Sequence, residues 1–304
     1  MGSLMAARLA LTGADVTLLG RASEHLARIE RDGLDFVELD GSHQTIRLTS
    51  TAEPAVVADA DLVVLLVKSW ATAEVIATLR SHLPPAATVL TLQNGLGNAT
   101  AIRNALGDGP ERELMVGVTA QAALREAPGR VLHTGDGPTA IGRPDGAVTS
   151  RLTAAAAAFA GAGFATIAVP DIERWVWRKL AVNAAINGPT ALAGVPNGAI
   201  VRDPELRAAA LILAAEVAAV ARTRGLRLDH IAGAVEEVAR ETAANRSSML
   251  QDLDFGERTE VDAIYGVMIA EAERLGVGVP ASRVVAALIH ARERTARLAK
   301  ERAG

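Results

Sequence analysis

The feature that most constrains the fold is a change of pattern near Pro170. Before this residue, short apolar runs rich in β-branched side chains alternate with helix-like segments, and these runs lie at 16–19, 62–67, 88–92 and 114–119. Such alternation is typical of βαβ units that form a parallel sheet. After Pro170 the pattern is helical almost throughout. The sequence therefore predicts an α/β domain in residues 1–170, with a doubly wound sheet, followed by an all-helical domain in residues 171–304.

The composition favours small-molecule chemistry over other functions. A chain of 304 residues has room for two domains, and its net charge of -4 argues against nucleic acid or an anionic membrane surface as partner. No cysteine is present, and the six histidines form no pair at ligand spacing, so we predict no structural metal. Because no segment is typical of a membrane span or a signal peptide, we predict a cytoplasmic protein.

Two glycine-containing turns suggest β-hairpins inside the first domain. Asp40-Gly41 lies between two strand-like runs at 36–39 and 45–48, which is a strong hairpin signal. We predict a second hairpin around Gly135-Asp136-Gly137.

The start of the chain is similar to a Rossmann-like dinucleotide-binding fold entered part-way through. Gly2 opens a helical segment, and the strand at 16–19 is followed by Gly20-Arg21. In such folds, the last glycine of the phosphate loop precedes the ribose-contacting position by about 20 residues. An arginine there attracts a 2′-phosphate, so we predict NADP(H) rather than NAD as cofactor. Lys68, after the strand at 62–67, is a second candidate cation.

The usual first strand and first two glycines of that fold do not occur before Met1. This strand lies in the middle of a doubly wound sheet, so its absence predicts two neighbouring strands without a partner. Four or five aliphatic side chains would then lose burial worth on the order of 10 kcal/mol. We therefore expect Met1 to be an internal start within a longer reading frame, and we expect cofactor binding to be weakened.

Three polar residues recur at four-residue intervals in an otherwise apolar segment. Lys179, Asn183 and Asn187 share one face of a predicted helix, among leucine, valine, isoleucine and alanine. A partly buried ammonium can be tuned towards acid chemistry near neutral pH, and carboxamides can bind a small polar molecule. The segment is thus a candidate active site. The alternative is a partly exposed lysine with two asparagines that bond to the backbone.

Several motifs together resemble the ketopantoate reductase (2-dehydropantoate 2-reductase) family. They span nearly the whole chain: Leu19-Gly20-Arg21, Val67-Lys68-Ser69-Trp70, Gln93-Asn94-Gly95, the helix of Lys179, Pro196-Asn197-Gly198, the run at 247–252 and the run at 258–262. One glycine motif would be weak support, but this ordered set across both domains is specific.

The resemblance implies a role for particular residues. It makes Lys179 the proton donor to the substrate oxygen and places Glu260 facing that lysine or the cofactor ribose. The alternative for Glu260 is a first-turn glutamate that interacts with a helix dipole. The implied substrate contacts are Asn183, Asn187, Asn197 and Ser248. The implied cofactor contacts are Met1, Gly2, Arg21, Lys68, Asn94, Ala123 and Glu260.

The implied activity is NADPH-dependent reduction of 2-dehydropantoate to pantoate, a step towards pantothenate and coenzyme A. Two alternatives remain open at this point. One is a related NADP-dependent dehydrogenase of another 2-oxo or 3-hydroxy acid, because one scaffold serves many substrates. The other is a truncated, non-catalytic paralogue that binds a ligand. The alanine-rich helices also leave open a homodimer.

Overall fold

The computed structural model describes residues 1–107 and 112–303 and divides into two compact units. Unit 1 consists of Met1–Gln93 and Asn98–Ile172. Unit 2 consists of Asn94–Gly97 and Glu173–Gly304. The chain thus leaves unit 1 close to Pro170, where the sequence pattern changes. A four-residue piece of the earlier chain belongs to unit 2, and no composition signal predicts that.

Unit 1 combines parallel strands with helices. Its helices are α1 Gly2–Leu11, α2 Glu24–Asp32, α3 Thr72–Leu79, α4 Asn98–Leu106 and α5 Ser150–Gly161. Its strands are β1 Thr17–Leu19, β2 Leu34–Val37, β3 His43–Ile46, β4 Thr49–Thr51, β5 Leu62–Leu65, β6 Thr88–Thr91, β7 Leu114–Thr119, β8 Ala122–Ala127, β9 Arg130–Gly135, β10 Thr139–Gly142 and β11 Thr166–Ala168. Short 3₁₀ helices cover Pro54–Asp59 and Ser69–Ala71.

The main sheet has the strand order β11-β10-β7-β6-β5. Strands β5, β6 and β7 are parallel and in register, with Val63 opposite Val89 and Val89 opposite Leu114. Strand β10 runs antiparallel to β7, and β11 runs parallel to β10. The predicted alternation of strand and helix is confirmed, and the unit has the expected Rossmann-like class.

Strands β1 and β5 are edges of separate sheets among the described residues. Strand β1 pairs in parallel with β4 in a two-stranded sheet, whereas β5 ends the main sheet. Leu18 and Leu19 of β1 and Val63 and Val64 of β5 are accordingly only half-buried. Within the described residues, each of these two strands is hydrogen-bonded to a neighbouring strand on one side.

One predicted hairpin is confirmed and one is wrong. Strands β2 and β3 pair antiparallel around Asp40-Gly41, where Gly41 has φ 81° and the Asp40 carboxylate accepts from Ser42 N at 2.8 Å. Strands β9 and β10, by contrast, lie in different sheets, so the turn at Gly135-Asp136-Gly137 joins two sheets. The hairpin partner of β9 is β8, across a turn in which Gly129 has φ 77°.

Helix α1 is fixed to unit 1 by burial and by a charged pair. Leu4, Met5 and Ala7 are buried in the same cluster as Phe36. On the flank of the helix, Arg8 donates from Nε and Nη2 to both carboxylate oxygens of Glu38, at 2.9 and 2.8 Å. A two-point guanidinium-carboxylate contact fixes orientation as well as distance. These contacts hold the start of α1, where cofactor residues are predicted.

Unit 2 is helical. Its helices are α6 Ile172–Ala193, α7 Ala199–Arg202, α8 Pro204–Thr223, α9 Ile231–Glu241, α10 Ser248–Asp254, α11 Val267–Arg274 and α12 Pro280–Ala303, with a π-helix at Asp262–Gly266. Asp203 caps α8 by accepting from Glu205 N and Leu206 N. Within the described ranges, no helix combines the length and apolarity that crossing a membrane requires.

The core of unit 2 packs one side of α6 against α8 and the segment after α10. Trp177, Leu180 and Ala184 of α6 belong to one buried cluster with Leu213 and Val217 of α8. The C-terminal end of α6 is fixed by Arg292, whose Nη1 donates to the carbonyls of Ala191 and Leu192. Because the apolar side of α6 is packed in this way, its polar residues are held on a rigid helix.

Candidate active site

The polar face predicted from the four-residue spacing lies on one continuous helix, α6. Lys179 and Asn183 are half-buried, and Asn187 is buried at 8 % exposure. Residues four apart on a helix lie on one side and one turn apart, so the three side chains form a polar row. Their intervening neighbours, such as Leu180 and Ala184, are buried in the core.

The ammonium of Lys179 has an altered proton affinity. Burial lowers its pKa from 10.5 to about 8, because desolvation disfavours the charged form, and the charge of Glu260 opposes this shift. Glu260 is itself buried, at 8 % exposure. At neutral pH the group is still mostly protonated but gives up its proton more readily than an exposed lysine does. That is the property of a general acid.

Glu260 also contacts the segment from the earlier chain. Asn94 Nδ2 donates to Glu260 Oε2 at 3.3 Å. The approach depends on Gly95, which has φ 83°; a Cβ there would overlap the carbonyl oxygen of Ala263 and lie 2.6 Å from its carbonyl carbon. In the next residue, Leu96 N donates to Ala263 O at 2.8 Å. A glycine is thus required to bring Asn94 to Glu260.

The amides of Asn183 and Asn187 differ from that of Asn197 in their partners. In the described part of the chain, the side chains of Asn183 and Asn187 have no hydrogen-bond partner, although they lie beside a buried core. Asn197 donates from Nδ2 to Thr242 Oγ1 at 3.0 Å. Its Oδ1 is buried and accepts no bond from a described residue. All three amides therefore retain capacity to bind a polar ligand.

Ser248 is exposed in the first turn of α10, and the preceding residue, Ser247, is the N-cap of this helix. Ser247 Oγ accepts from Leu250 N at 3.3 Å, and its hydroxyl is hydrogen-bonded to Thr190 Oγ1 at 2.9 Å. The structure thus ties the start of α10 to α6 through Ser247 and Thr190. Ser248, whose hydroxyl makes no bond to a described residue, lies one position further along the helix.

In unit 1, cationic groups gather at the start of α1. The pKa of the Met1 α-amino group falls to about 6, because it is desolvated and because Lys68 and Arg125 are near. The pKa of His25 is lowered by burial and by Arg125 and the same amino group. Helix α1 has no side-chain cap at its first turn. A helix start surrounded by positive charge is suited to a phosphate group.

The sequence interpretation includes Lys68 but misses Arg125. Arg125 lies on β8 two residues after Ala123, so the two side chains share one face of the strand. The two-residue spacing from Ala123 is the sequence feature from which Arg125 could have been predicted. The sequence also did not predict a role for Gln93. Its Nε2 donates to Val67 O and to Thr72 Oγ1, both at 2.8 Å. These two bonds hold the chain on both sides of Lys68.

The remaining predicted cofactor residues are placed as follows. Arg21 is exposed after β1, just before α2. Gly2 is the first residue of α1, and its Cα lies beside Leu18, since a Cβ there would be 3.7 Å from Leu18 Cδ1. Ala123 is half-buried on β8, opposite His133.

The chain is similar to known proteins over most of its length. The family model for ketopantoate reductase PanE/ApbA matches residues 1–146, and the model for its C-terminal part matches residues 171–293. The 2-dehydropantoate 2-reductase of Halobacterium salinarum is 41% identical over 295 residues, which are 97% of this chain and 96% of the relative.

Two solved structures resemble the chain. A PanE/ApbA family ketopantoate reductase from Ralstonia eutropha JMP134 has a TM-score of 0.88 and 32% identity, over 96% of this chain and 95% of the other. D-mandelate dehydrogenase with NADH and anilino(oxo)acetate has a TM-score of 0.88 over 97% and 96% of the two chains, at 24% identity, and so shows the fold alone.

The names of these relatives place the chain, with its α/β unit followed by a helical unit, in the class of oxidoreductases. Within it, the chain belongs to the ketopantoate reductase family.

Proposed function

We propose that this protein reduces 2-dehydropantoate to pantoate with NADPH, a step towards pantothenate and coenzyme A. The observation that carries the proposal is the polar face of α6. There, an ammonium with a pKa of about 8 lies on the same helix side as two amides that lack partners in the described chain. Family membership supplies the reaction, and this face supplies groups with the required chemistry.

The residues of unit 1 fit a dinucleotide phosphate. The uncapped start of α1 presents backbone N–H groups, and Lys68 and Arg125 lie near enough to depress the pKa of the Met1 amine. We infer that Met1, Gly2 and Lys68 hold phosphate, that Arg21 binds the 2′-phosphate, and that Ala123 lies near the nicotinamide. When bound, NADPH supplies the hydride that the carbonyl carbon of the substrate accepts.

Lys179 provides the proton that completes the reduction. Its Nζ donates to the carbonyl oxygen as negative charge develops there, which leaves a hydroxyl on the product and a neutral amine on the enzyme. Water then reprotonates the amine. The charge of Glu260 keeps the pKa of Lys179 from falling further, so the lysine remains protonated at neutral pH. Asn94 holds the Glu260 carboxylate in place and, we infer, also contacts the cofactor.

The asparagines and Ser248 bind the rest of the ketoacid. A carboxamide both donates and accepts, so Asn183, Asn187 and Asn197 can bond to the substrate hydroxyl and carboxylate together. The buried Oδ1 of Asn197 needs a donor, and the substrate hydroxyl is one. Ser248, at the start of α10, can donate its hydroxyl to the substrate carboxylate.

The test is NADPH oxidation with a panel of 2-oxo acids that includes 2-dehydropantoate. We expect 2-dehydropantoate to give the highest kcat/KM. A higher value for another 2-oxo acid would assign the protein to a related dehydrogenase. No turnover on any acid, combined with ligand binding measured by calorimetry, would identify a non-catalytic paralogue.

We further propose that the protein acts in the cytoplasm and that its alanine-rich helices allow a homodimer. Cell fractionation tests the first statement. Analytical ultracentrifugation tests the second, and a monomer at every concentration would contradict it.

A further inference from the structure

Helix α6 lacks one of its own hydrogen bonds next to the proposed substrate residues. Pro189 lies inside the helix and has no N–H, so the usual bond to the carbonyl of Ala185 is missing. The flanking turn is held by a side-chain hydroxyl: Thr190 Oγ1 donates to Ile186 O at 2.7 Å. A side-chain hydroxyl thus bonds to the backbone of α6 next to the proline.

A second hydroxyl enters the same part of α6 from the π-helix at Asp262–Gly266. Tyr265, which is fully buried, donates from its hydroxyl to Ala184 O at 2.5 Å, and the same hydroxyl lies against Gly188. The hydroxyl thus bridges two residues that lie one helix turn apart on α6. Burial raises the pKa of Tyr265, so the hydroxyl keeps its proton and remains a donor.

The close approach of Tyr265 requires glycine at position 188. A Cβ there would overlap the Tyr265 hydroxyl and lie 3.0 Å from its Cζ and 2.6 Å from Val285 Cγ1. Glycine in a helix interior is less favourable than alanine. Gly188 followed by Pro189 is therefore a costly pair for a helix that only fills the core, and the missing Cβ of Gly188 makes room for the Tyr265 hydroxyl.

The bridged groups adjoin the proposed substrate amides. Ala184 follows Asn183, and Gly188 follows Asn187. The Tyr265 hydroxyl thus sets the spacing of the helix turn that carries both amides. The same π-helix, through Ala263, accepts the bond from Leu96 that anchors the Asn94 segment. One element therefore fixes two sides of the candidate site, both within unit 2.

We propose that Tyr265 is a positioning residue, which sets the placement of Asn183 and Asn187 for the substrate by bridging Ala184 and Gly188. This inference rests on the proposed function of α6. Tyr265 has no part in proton transfer. Its loss therefore acts on substrate binding and leaves the acid unchanged.

The test compares Tyr265→Phe with the unaltered protein. The phenylalanine ring fills the same space, and α6 is a continuous helix through Ala184 and Gly188 without the help of the hydroxyl, so the protein folds. We expect KM for 2-dehydropantoate to rise about tenfold, as for an ångström-scale displacement of a binding group. The pH at which the rate falls should stay unchanged, because Lys179 is unaltered. An unchanged KM, with or without a lower unfolding temperature, would overturn the proposal.

A second pair of variants separates positioning from general helix effects. Gly188→Ala should displace the hydroxyl and raise KM as Tyr265→Phe does, and the double variant should add little to either, because both changes break one bridge. Gly233→Ala in α9 is the control, since a Cβ there meets nothing within 4 Å. It should leave KM unaltered. Additive effects of the two single changes would contradict a shared bridge.

The same measurements distinguish this inference from the proposed function. If the unaltered protein turns over a different 2-oxo acid, the KM for that acid is used and the inference stands or falls on it. If the unaltered protein reduces no 2-oxo acid, both proposals fail. If it reduces 2-dehydropantoate and Tyr265→Phe has the same KM, only the positioning role fails.

Discussion

Asn94 Nδ2 donates to Glu260 Oε2 at 3.3 Å, which joins two residues 166 positions apart in the chain. Glu260 also acts through its charge on Lys179, whose pKa it raises against the effect of burial. The candidate acid on α6 therefore depends on residues from two other parts of the sequence.

The first prediction concerns pH. Lys179 is protonated below its pKa of about 8, so the rate of reduction should fall as pH rises through that value. Glu260→Gln keeps the shape and an acceptor oxygen for Asn94 but removes the charge that raises the lysine pKa. The fall should then occur at lower pH, in a profile of kcat/KM against pH. The control is Glu237→Gln on the exposed side of α9. A midpoint that moves upward in Glu260→Gln would contradict the assigned coupling.

The second prediction concerns Lys179 itself. Lys179→Met should lower turnover by about 10²–10⁴-fold, because the general acid is lost. Cofactor binding, measured by calorimetry, should stay near its original value. Arg222→Met, which removes an exposed cation, is the control. Turnover that survives in Lys179→Met would place the acid elsewhere.

The same Lys179→Met variant should be no less stable to heat at pH 7. The folded protein holds Lys179 at a pKa of about 8 against 10.5 in an exposed chain, so its protonated form opposes folding. This cost is complete below about pH 8 and fades as pH rises towards 10.5. The gain in unfolding temperature from the methionine should fade over the same interval. A large loss of stability of Lys179→Met at pH 7 would contradict the view that the protonated lysine opposes folding.

The third prediction concerns cofactor choice. Arg21→Asp should shift preference from NADPH towards NADH, because a carboxylate repels the 2′-phosphate and bonds to ribose hydroxyls. The ratio of kcat/KM for the two cofactors measures the shift. Arg103→Asp, an exposed arginine on α4, has the same change of charge and should leave the ratio unaltered. Equal ratios in both variants would remove Arg21 from the cofactor site.

The fourth prediction concerns Gly95. Gly95→Ala should push the Asn94 segment away from the π-helix, because the new Cβ would lie 2.6 Å from the Ala263 carbonyl carbon. We expect kcat/KM to fall by about 10–100-fold. Gly276→Ala shares the positive φ, at 68°, but meets nothing within 4 Å, so it isolates backbone strain from the clash. If both variants lose only stability, the approach of Asn94 to Glu260 is not needed for turnover.

The sequence predicts those structural features that are caused by residues close to one another in the chain. The polar row on α6 follows from helix periodicity. Asp203, which caps α8, is a residue type that favours this position. The turn at 135–137 is predicted wrongly because glycine and aspartate mark a turn without saying which strand comes next to which. The capping residue of α10 is Ser247, and its identity needed the structure because the next residue, Ser248, is of the same type.

The rest could not be predicted because the causes are distant in sequence. Gly95 looks like an ordinary loop glycine until Ala263 is placed against it. Tyr265 looks like a core aromatic residue until its hydroxyl reaches Ala184. Arg125 is one of many exposed cations until the start of α1 lies beside it. Each relation exists only in the folded chain.

The short piece Asn94–Gly97 has a consequence for how the protein assembles during synthesis. Leu96 packs against the buried cluster of unit 2 and bonds to Ala263, yet it leaves the ribosome long before the helices that receive it. A fragment that starts at Glu173 would lack Leu96, so the part of the buried cluster that Leu96 contacts would be uncovered and Ala263 O would lose this hydrogen-bond donor. The later helices should therefore mature only when the earlier half of the polypeptide is attached, which makes folding of the two halves interdependent even though each has its own core.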